Sequence, residues 1–432
     1  MATAAAFQPV RAVEVRIWNQ RVGAVALDPK LGYYAFEYSP DFVATGVELA
    51  PLQMPLALAA EPFVFLDLAE TTYRRLPAML ADALPDDFGN ALIDAWMAQR
   101  GVSRDAITPL DRLAYMASRG FGALEFKPMR GPPRSTSSAI ELVQLVEGAR
   151  RALSGDLSAD PEAAAAIRQV IHVGTSAGGA RAKASVAFDP QSGEIRAGQF
   201  DAPPGFEHWL IKFDGVGRDS ELGSPQGYGR IEYAYYLMAR AAGIEMNECR
   251  LLEENGRAHF MTKRFDREDN RKLHLQSLCA LAHLDFRQKA THDYSQYLQT
   301  ILALGLGMEA LEQALLRIAF NVAARNCDDH TKNLAFLLPE GGRWRLAPAF
   351  DVTFAYNPRG EWTYQHLMSV GGKFSGIARD DLLALADRYG IGRAPKLIDA
   401  ATAAVRAWPE FAHRAGVSAP DIDRISRAHE LL

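Results

Sequence analysis

The chain has 432 residues, of which 48% are apolar and 23% are charged, and its formal net charge is −5. This is the composition of a globular protein with two or three domains, and the acidic balance argues against a broad nucleic-acid-binding face. Three cysteines give no disulfide framework and no Cys-x-x-Cys metal motif, and no apolar run approaches the roughly 20 residues of a membrane span, so we expect a soluble cytoplasmic protein.

The first part of the chain is predicted to be β-rich. Residues 12–29, "AVEVRIWNQRVGAVALDP", alternate apolar and polar side chains and predict two strands joined by a turn at Asn19–Gln20. The stretch 33–43 continues this pattern. From about residue 69 the sequence becomes helical with several prolines, and residues 116–128 return to loop and strand.

A stretch rich in Pro, Gly and Ser, "MRGPPRSTSSAIEL" (129–142), is typical of a linker. It suggests three domains, 1–130, 131–270 and 271–432. A helical stretch is predicted up to about residue 170, and the chain is mostly helical from about 273, with an interruption at 333–352. Between these two helical parts, the sequence predicts strands at 183–188, 194–200 and 208–215 and a helix at 230–244. It also predicts a hairpin within 248–267 that turns at Glu254–Gly256.

Three of these segments carry residues that phosphoryl transfer needs. The glycines of "HVGTSAGGARAKASV" (172–186) let a backbone approach phosphates closely, although this loop fits a flexible surface turn equally well. Lys212 lies in the apolar strand "HWLIKFDG" and needs a charged partner if it is buried. Glu232 lies in the first turn of the next helix. A strand lysine followed by a helix glutamate is also the order of the Lys–Glu ion pair in kinases. The ordinary alternatives are an exposed strand lysine and a helix-dipole glutamate.

The stretch "NVAARNCDDHTKNLAFLL" (321–338) holds two adjacent aspartates between apolar flanks. Kinase catalytic loops place the catalytic aspartate five residues before a metal-binding asparagine. Asp328 has this spacing from Asn333, and Asp329 does not. We therefore assign the catalytic role to Asp328, leave Asp329 without a role, and expect Asp329→Asn to keep substantial activity. The alternative is a solvated polar turn between helix and strand.

The residues after this loop predict a hairpin that leads to another aspartate. Leu334–Leu338 and Arg343–Leu346 are predicted strands around "PEGG", and the hairpin would deliver Asp351 as a second magnesium ligand. A turn or helix cap is the alternative for Asp351. The literal triplet Asp87-Phe88-Gly89 of kinase metal sites lies far before the catalytic loop, so we interpret Asp87–Asn90 as a structural turn.

With these residues in view, the sequence resembles the HipA family of serine/threonine protein kinase toxins from bacterial toxin–antitoxin systems. The resemblance covers nearly the whole chain. Its N-terminal motifs include "VEVRIWNQRVGAVA" and "LDRLAYMASRGFGALEF", and its kinase motifs include "GTSAGGARAKA", "WLIKF", "TKRFDR", "DDHTKN" and "LAPAFDV". The segment "LHLQSLCALAHLDF" (273–286) departs from the acidic and glutamine pattern of the best-known members.

The resemblance implies an α+β, two-lobed protein-kinase-like fold with a β-rich N-terminal domain and a mostly helical C-terminal lobe. It also implies ATP and Mg²⁺, with Asp328 as the catalytic aspartate, Asn333 and Asp351 as magnesium ligands, and Lys212 paired with Glu232. The residues that match the nucleotide site of the family are Gly178, Gly179, Ala180, Arg181, Ala182, Lys183, Lys212, the hinge residues Lys263, Arg264 and Phe265, and His330, Thr331, Lys332, Asn333, Phe350 and Asp351.

The resemblance also implies a switch and partners. Ser176 matches the loop serine that these kinases autophosphorylate to inactivate themselves, and Thr175 is an alternative acceptor. A phosphate at Ser176 would place nearly two negative charges where those of ATP belong. The implied partner is a small DNA-binding antitoxin of the HipB type, through which alone the chain would contact DNA. The implied targets are aminoacyl-tRNA synthetases, whose phosphorylation arrests translation and growth.

Two other functions stay open at the level of the sequence. One is a small-molecule kinase, since related folds phosphorylate sugars, antibiotics and lipids. The other is a catalytically retired binding module in an antitoxin–operator complex. A retired site would have no chemical need for all four of Lys212, Asp328, Asn333 and Asp351, so their presence argues against this second alternative.

Overall fold

The computed structural model describes residues 7–132, 145, 182–215 and 227–432. The chain divides into two compact units, one formed by Met1–Trp209 with Asp266–Leu275 and the other by Leu210–Phe265 with Gln276–Leu432. Helices and strands occur in both units, which confirms the predicted α+β class. The three-domain division stays a prediction. Within the described ranges, no helix has the length and apolar character that crossing a membrane requires.

The first unit contains an antiparallel sheet of four strands, Ala12–Ile17 (β1), Gln20–Asp28 (β2), Tyr33–Tyr38 (β3) and Glu125–Lys127 (β4). Their order in the sheet is β3-β2-β1-β4. Alternate side chains of β1 are buried, as the period of two predicts. The predicted turn is wrong by one residue. Ile17 pairs with Gln20, so the turn residues are Trp18 and Asn19, whose φ angles are 45° and 63°. Positive φ at both positions is the backbone of a two-residue hairpin turn.

Five helices lie between β3 and β4: Pro40–Val43 (α1), Glu70–Tyr73 (α2), Ala78–Ala81 (α3), Asp87–Ala98 (α4) and Pro109–Met116 (α5). The turn predicted at Asp87–Asn90 is wrong, because these residues open α4. The carboxylate of Asp86 accepts a hydrogen bond from the backbone N–H of Gly89 at 2.7 Å and so caps the helix. The Asp-Phe-Gly triplet is therefore the first turn of a helix in the first unit.

The middle of the chain contributes five strands, Lys183–Phe188 (β5), Ile195–Ala197 (β6), Glu207–Lys212 (β7), Cys249–Glu254 (β8) and Arg257–Lys263 (β9). Within the first unit β5 pairs with β6, and within the second β8 pairs with β9, both antiparallel. Helix α6 is Tyr228–Ala242. These elements and the hairpin turn before Arg257 confirm the predictions for this region. A Cβ at Gly229 would lie 1.9 Å from the carbonyl oxygen of Ala258, so this glycine lets α6 approach β9 closely.

The remaining elements are β10 (Arg267–Glu268), β11 (Arg271–Lys272), β12 (His274–Ser277), α7 (Leu278–Leu281), β13 (His292–Asp293), α8 (Tyr294–Ala303), α9 (Gly307–Ala323), β14 (Ala335–Leu338), β15 (Arg345–Leu346), β16 (Met368–Ser369), α10 (Arg379–Arg388), α11 (Ala394–Arg406), α12 (Trp408–Ala415) and α13 (Ala419–Ala428). Their small sheets have the orders β10-β11, β12-β14-β15 and β13-β16.

The helices of the second unit pack around a continuous apolar core. Tyr235 of α6 lies at its centre, with its ring 5.2 Å from that of Trp408 and 6.3 Å from that of Phe320. The predicted non-helical interruption at 333–352 is too short. The chain forms no further α-helix until Arg379. The hydrophobic pattern did not reveal this, because residues 366–370 are buried without being helical.

Candidate active site

Lys212 is held between two carboxylates in the second unit. It lies at the end of β7, and its ammonium forms ion pairs with Glu232 of α6 and with Asp351. Its side chain is 11% exposed and that of Glu232 is 2% exposed. Burial alone would lower the pKa of Lys212, but Asp351 and Glu232 together raise it, so the side chain stays positively charged. The Lys–Glu pair expected from chain order is present, with Asp351 as an additional partner.

Asp351 reaches Lys212 through the hairpin that the sequence predicted. Phe336 of β14 pairs with Leu346 of β15, and the chain then turns back to Asp351. Asp351 has a φ of 53°, which is the left-handed region that few residues other than glycine adopt. Such a backbone persists only where surrounding contacts hold it, and it is frequent at functional sites. The geometry therefore supports a functional constraint on Asp351.

The loop from Asp328 to Asn333 folds back on itself. The last three residues form a 3₁₀ turn, and the side-chain amide of Asn333 donates to the carbonyl oxygen of Asp328 at 2.8 Å. The side chain of Asp328 is 47% exposed, and its carboxylate lies 3.7 Å from Nε2 of His330. The five-residue spacing thus places the two side chains on one compact loop, with the carboxylate of Asp328 accessible.

Asn333 and Asp351 together fit the requirements of a magnesium site. They line the same cavity in the second unit. Since the amide nitrogen of Asn333 bonds to the backbone, its oxygen is the atom suited to a metal, and a carboxylate oxygen of Asp351 is also a hard ligand. Magnesium in phosphoryl-transfer sites takes few protein oxygens and completes its shell with water and substrate phosphates. Two oxygen donors are therefore sufficient.

His330, Thr331 and Lys332, which belong to the predicted nucleotide-binding residues, differ from one another in their contacts. The hydroxyl of Thr331 donates to the carbonyl oxygen of Leu284 at 2.6 Å, so it supports the loop. The imidazole of His330 lies 5.2 Å from the ring of Phe286, measured between ring centres. The ammonium of Lys332 lies 5.4 Å from the centre of the same phenyl ring. Nδ1 of His330 is buried and has no hydrogen-bond partner among the described residues. An unsatisfied buried nitrogen of this kind is suited to a ligand or water.

The predicted hinge residues lie at the end of β9, where Lys263 is the last residue of the strand and Arg264 and Phe265 follow it. The backbone N–H of Lys263 donates to Glu248 at 2.8 Å, so this group is already used within the protein. Arg264 is 3% exposed, and the ring of Phe265 lies 5.3 Å from that of Phe350. The assignment of Lys263, Arg264 and Phe265 as the hinge of the nucleotide site stays a prediction.

The described residues include only the last part of the predicted Gly-rich loop. Gly178, Gly179, Ala180 and Arg181 lie outside the described residues, as do Ser176 and most of the predicted linker and the helical stretch after it. Ala182 is fully buried. Lys183 forms a buried ion pair with Asp86, at 3.1 Å, in the first unit. Its ammonium has thus a structural partner that the resemblance did not suggest.

Asp329, which the spacing left without a role, is buried and fully engaged. It is 3% exposed and accepts hydrogen bonds from Oη of Tyr294 at 2.8 Å, Nδ1 of His366 at 2.7 Å and N–H of Leu367 at 2.7 Å. His366 is also buried, with Sγ of Cys327 3.9 Å from its Nε2. No sequence signal identified these partners, and the expectation that Asp329→Asn keeps substantial activity does not take this burial into account.

The pairing of His366 with Asp329 predicts a specific dependence of stability on pH. Burial alone would lower the pKa of His366, but Asp329 and Cys327 raise it to about 10. An unfolded histidine titrates near 6.5, so between these values the folded state holds one more proton. The stabilisation is complete below about pH 6.5 and is lost as the pH rises through about 10, at up to about 1.4 kcal/mol per pH unit.

This slope is measurable by urea unfolding at several pH values between about 6 and 9, with His366→Gln as the comparison. The difference in unfolding free energy between the two proteins is expected to shrink steadily as the pH rises. A difference that does not change with pH would mean that His366 is neutral in the folded protein.

Comparisons with known proteins agree with the resemblance. A family model described as the HipA-like C-terminal domain matches residues 175–415, and one described as the HipA N-terminal domain matches residues 13–127. The solved HipA of the Shewanella oneidensis MR-1 toxin–antitoxin complex with HipB and operator DNA has a TM-score of 0.64 and 16% identity, with 96% of this chain and 94% of that chain covered. No curated protein sequence matches significantly.

A further solved structure, the proinflammatory kinase CtkA of Helicobacter pylori, has a TM-score of 0.36 and 14% identity, covering 58% of this chain and 88% of that chain. At this TM-score the likeness carries no weight, whereas the Shewanella HipA shows a shared fold over nearly the whole length. The HipA-like C-terminal domain model alone spans more than half of the chain, and the N-terminal domain model covers most of the part before it. The chain therefore belongs to the HipA family.

Proposed function

We propose that this protein is an ATP- and magnesium-dependent serine/threonine protein kinase of the HipA toxin type. The observation that carries the proposal is the buried Lys212, held by Glu232 and Asp351 in the same unit as the Asp328–Asn333 loop. A charged lysine fixed by a glutamate and next to a metal-binding aspartate is the arrangement that phosphoryl transfer from ATP requires.

Each side chain has a distinct task in this mechanism. Lys212 would bind and orient the phosphates, and Glu232 keeps its ammonium in place. Asn333 and Asp351 would hold Mg²⁺, which would offset the negative charge that develops on the phosphates. The accessible carboxylate of Asp328 would orient the acceptor hydroxyl and take its proton. The protein thus acts mainly by positioning and electrostatics.

We further propose the partner and the target class that the family implies. The Shewanella HipA was solved with HipB and operator DNA, and a small DNA-binding antitoxin of the HipB type is the corresponding partner for this chain. The net charge of −5 fits a protein that reaches DNA through such a partner rather than directly. The target is a bacterial protein of the aminoacyl-tRNA synthetase class, whose phosphorylation would stop translation and growth.

Transfer of the labelled γ-phosphate of ATP to proteins of a bacterial lysate tests this function. We expect labelling of one or a few proteins with Mg²⁺ present and none with Asp328→Asn, followed by identification of the labelled protein by mass spectrometry. Label found only in the small-molecule fraction would instead support a small-molecule kinase. An absence of any transfer or nucleotide binding would support a retired binding module.

Autophosphorylation at Ser176 is a separate prediction. Incubation of the purified protein with Mg-ATP is expected to add one phosphate to the peptide that contains Ser176, and the modified protein is expected to bind ATP at least about tenfold more weakly, because like charges would occupy one site. Peptide mass spectrometry and nucleotide titration measure both effects. Ser176→Ala should stay active and bind ATP normally. Phosphate at Thr175 alone would show that the acceptor is misassigned.

A further inference from the structure

The two adjacent aspartates of the catalytic loop have opposite environments. The side chain of Asp328 is 47% exposed, whereas Asp329 is 3% exposed and accepts three hydrogen bonds. The donors come from three places in the second unit: Tyr294 of α8, the imidazole of His366, and the backbone of Leu367. A buried carboxylate with every bond directed inward is a fixed point in the structure. Asp329 therefore anchors the loop on which Asp328 stands.

His366 completes this anchor as a buried ion pair with Asp329. The side chains of both residues are 1% exposed. An ion pair removed from water in this way is costly to break, since either partner alone would leave an uncompensated buried charge. The pair thus resists displacement more strongly than a surface salt bridge, and it does so one residue away from Asp328.

Asn326, two residues before Asp328, belongs to the same network. Asn326 donates to the side-chain oxygen of Asn321 at 3.0 Å, and Asn321 donates to Oη of Tyr294 at 3.0 Å. Tyr294 then donates to Asp329 at 2.8 Å. Asn326 and Asp329 flank the two residues between them, so this hydrogen-bonded chain holds the loop on both sides of Asp328.

The network also connects the loop to the segment that follows Asp351. The N–H of Cys327 donates to the carbonyl oxygen of Ala355, and the N–H of Ala355 donates to the carbonyl oxygen of Arg325, each at 3.2 Å. Leu367, further along the same segment, donates to Asp329. The catalytic loop and the chain that leaves the proposed metal ligand are therefore joined at two separate points.

We propose that Asp329 and His366 form a positioning pair that fixes the orientation of Asp328 for proton transfer. Asp329 lines the same cavity as Asn333 and Asp351, but both side chains of the pair are 1% exposed and bond to each other, so its contribution to rate is made through the loop backbone. This inference rests on the proposed function of Asp328, but its structural part can be measured without turnover. Small displacements of a catalytic group are sufficient to reduce a rate by about 10²-fold.

Two tyrosines of helix α8 provide a matched test. Tyr294 and Tyr297 are both fully buried, but only the hydroxyl of Tyr294 bonds to Asp329, while that of Tyr297 faces Arg317. Tyr294→Phe is expected to lower kcat about 3- to 10-fold with KM for Mg-ATP unchanged, since it removes one of three donors. Tyr297→Phe removes the same atom from the same helix and is expected to keep the wild-type kcat.

Asp329→Asn is the stronger variant. It keeps the shape of the side chain but removes the charge that His366 and Tyr294 contact, and kcat is expected to fall about 10- to 100-fold with KM for Mg-ATP within about twofold of wild type. Hydrogen–deuterium exchange of the backbone amides of 325–333 provides the readout without turnover. Exchange in this segment is expected to be about tenfold faster in Asp329→Asn and faster to a smaller degree in Tyr294→Phe.

The outcomes separate this inference from the proposed function. Equal kcat and equal exchange in Tyr294→Phe and Tyr297→Phe would overturn the positioning role, and so would wild-type exchange of 325–333 in Asp329→Asn. If the wild-type protein transfers no phosphate, the proposed function fails, and the exchange measurements still decide whether the pair fixes the loop. If Asp329→Asn does not fold, the comparison of the two tyrosine variants decides.

Discussion

Asp328→Asn is expected to lower phosphotransfer by about 10³-fold while leaving Mg-ATP binding and stability close to those of the wild type. An amide cannot take the proton of the acceptor hydroxyl, and a positioned general base contributes roughly 10²- to 10⁴-fold. Lys212 and Asp351 do not depend on this side chain for their ion pair. Because the side chain of Asp328 is 47% exposed, the unfolding free energy should change by less than about 0.5 kcal/mol. Single-turnover transfer, nucleotide titration and urea unfolding measure these three quantities.

The neighbouring residue offers the same chemical change as a control. Asp329→Asn is expected to lower the unfolding free energy by about 3 kcal/mol, since it leaves the buried His366 without its counter-ion, and yet to retain part of the activity. Asp328→Asn is thus expected to lose more activity with little loss of stability, and Asp329→Asn to lose more stability with a smaller loss of activity. Full activity in Asp328→Asn together with none in Asp329→Asn would show that the catalytic role belongs to Asp329 and that the spacing to Asn333 is misleading.

Spacing along the chain is sufficient to predict those parts of the site that lie on one continuous segment. Asn333 lies five positions after Asp328, and a 3₁₀ turn brings its amide back to the carbonyl oxygen of Asp328. The next hairpin likewise depends on local turn residues, and β14 and β15 form as predicted. In both cases the determining interactions lie between residues close in sequence, so they are visible without the fold.

Interactions between distant residues are predictable only where one residue has an evident chemical need. Lys212 in an apolar strand requires a carboxylate, so a partner was expected and Glu232 was suggested by its order in the chain. His366 and Tyr294 gave no such signal, because they lie 37 and 35 residues from Asp329 and a histidine or tyrosine is acceptable in many environments. The exposure of adjacent aspartates cannot be read from the sequence either.

Prediction of turns from local sequence also fails where tertiary contacts override the backbone preference of a residue. A tryptophan at positive φ is uncommon, so the turn at Trp18–Asn19 was not expected. Its indole N–H donates to the carbonyl oxygen of Lys272 at 2.8 Å within the first unit, a contact that helps to hold this conformation. The register of β1 and β2 includes an irregularity between Val15 and Arg16, which alternation of side chains alone does not reveal.

Lys212→Met is expected to remove both catalysis and a considerable part of the stability. The methionine side chain has a similar length but cannot bind phosphates, and loss of a preorganised charge costs about 10²- to 10³-fold in rate. It also leaves Glu232, whose side chain is 2% exposed, without its counter-ion. Breaking a buried ion pair from one side costs about 3 kcal/mol or more of unfolding free energy. Phosphotransfer and urea unfolding of the same preparation measure both losses.

A second substitution separates the two roles of this lysine. In Lys212→Met combined with Glu232→Gln the uncompensated buried charge is gone, so we expect most of the lost unfolding free energy to return. Phosphotransfer should stay as low as in Lys212→Met, because the positive charge beside Asp351 is still missing. Recovery of transfer in the double variant would mean that Lys212 acts only as a structural counter-ion of Glu232. Wild-type stability in Lys212→Met would mean instead that Glu232 is neutral or is held by another partner, since the loss of a buried counter-ion otherwise destabilises the fold.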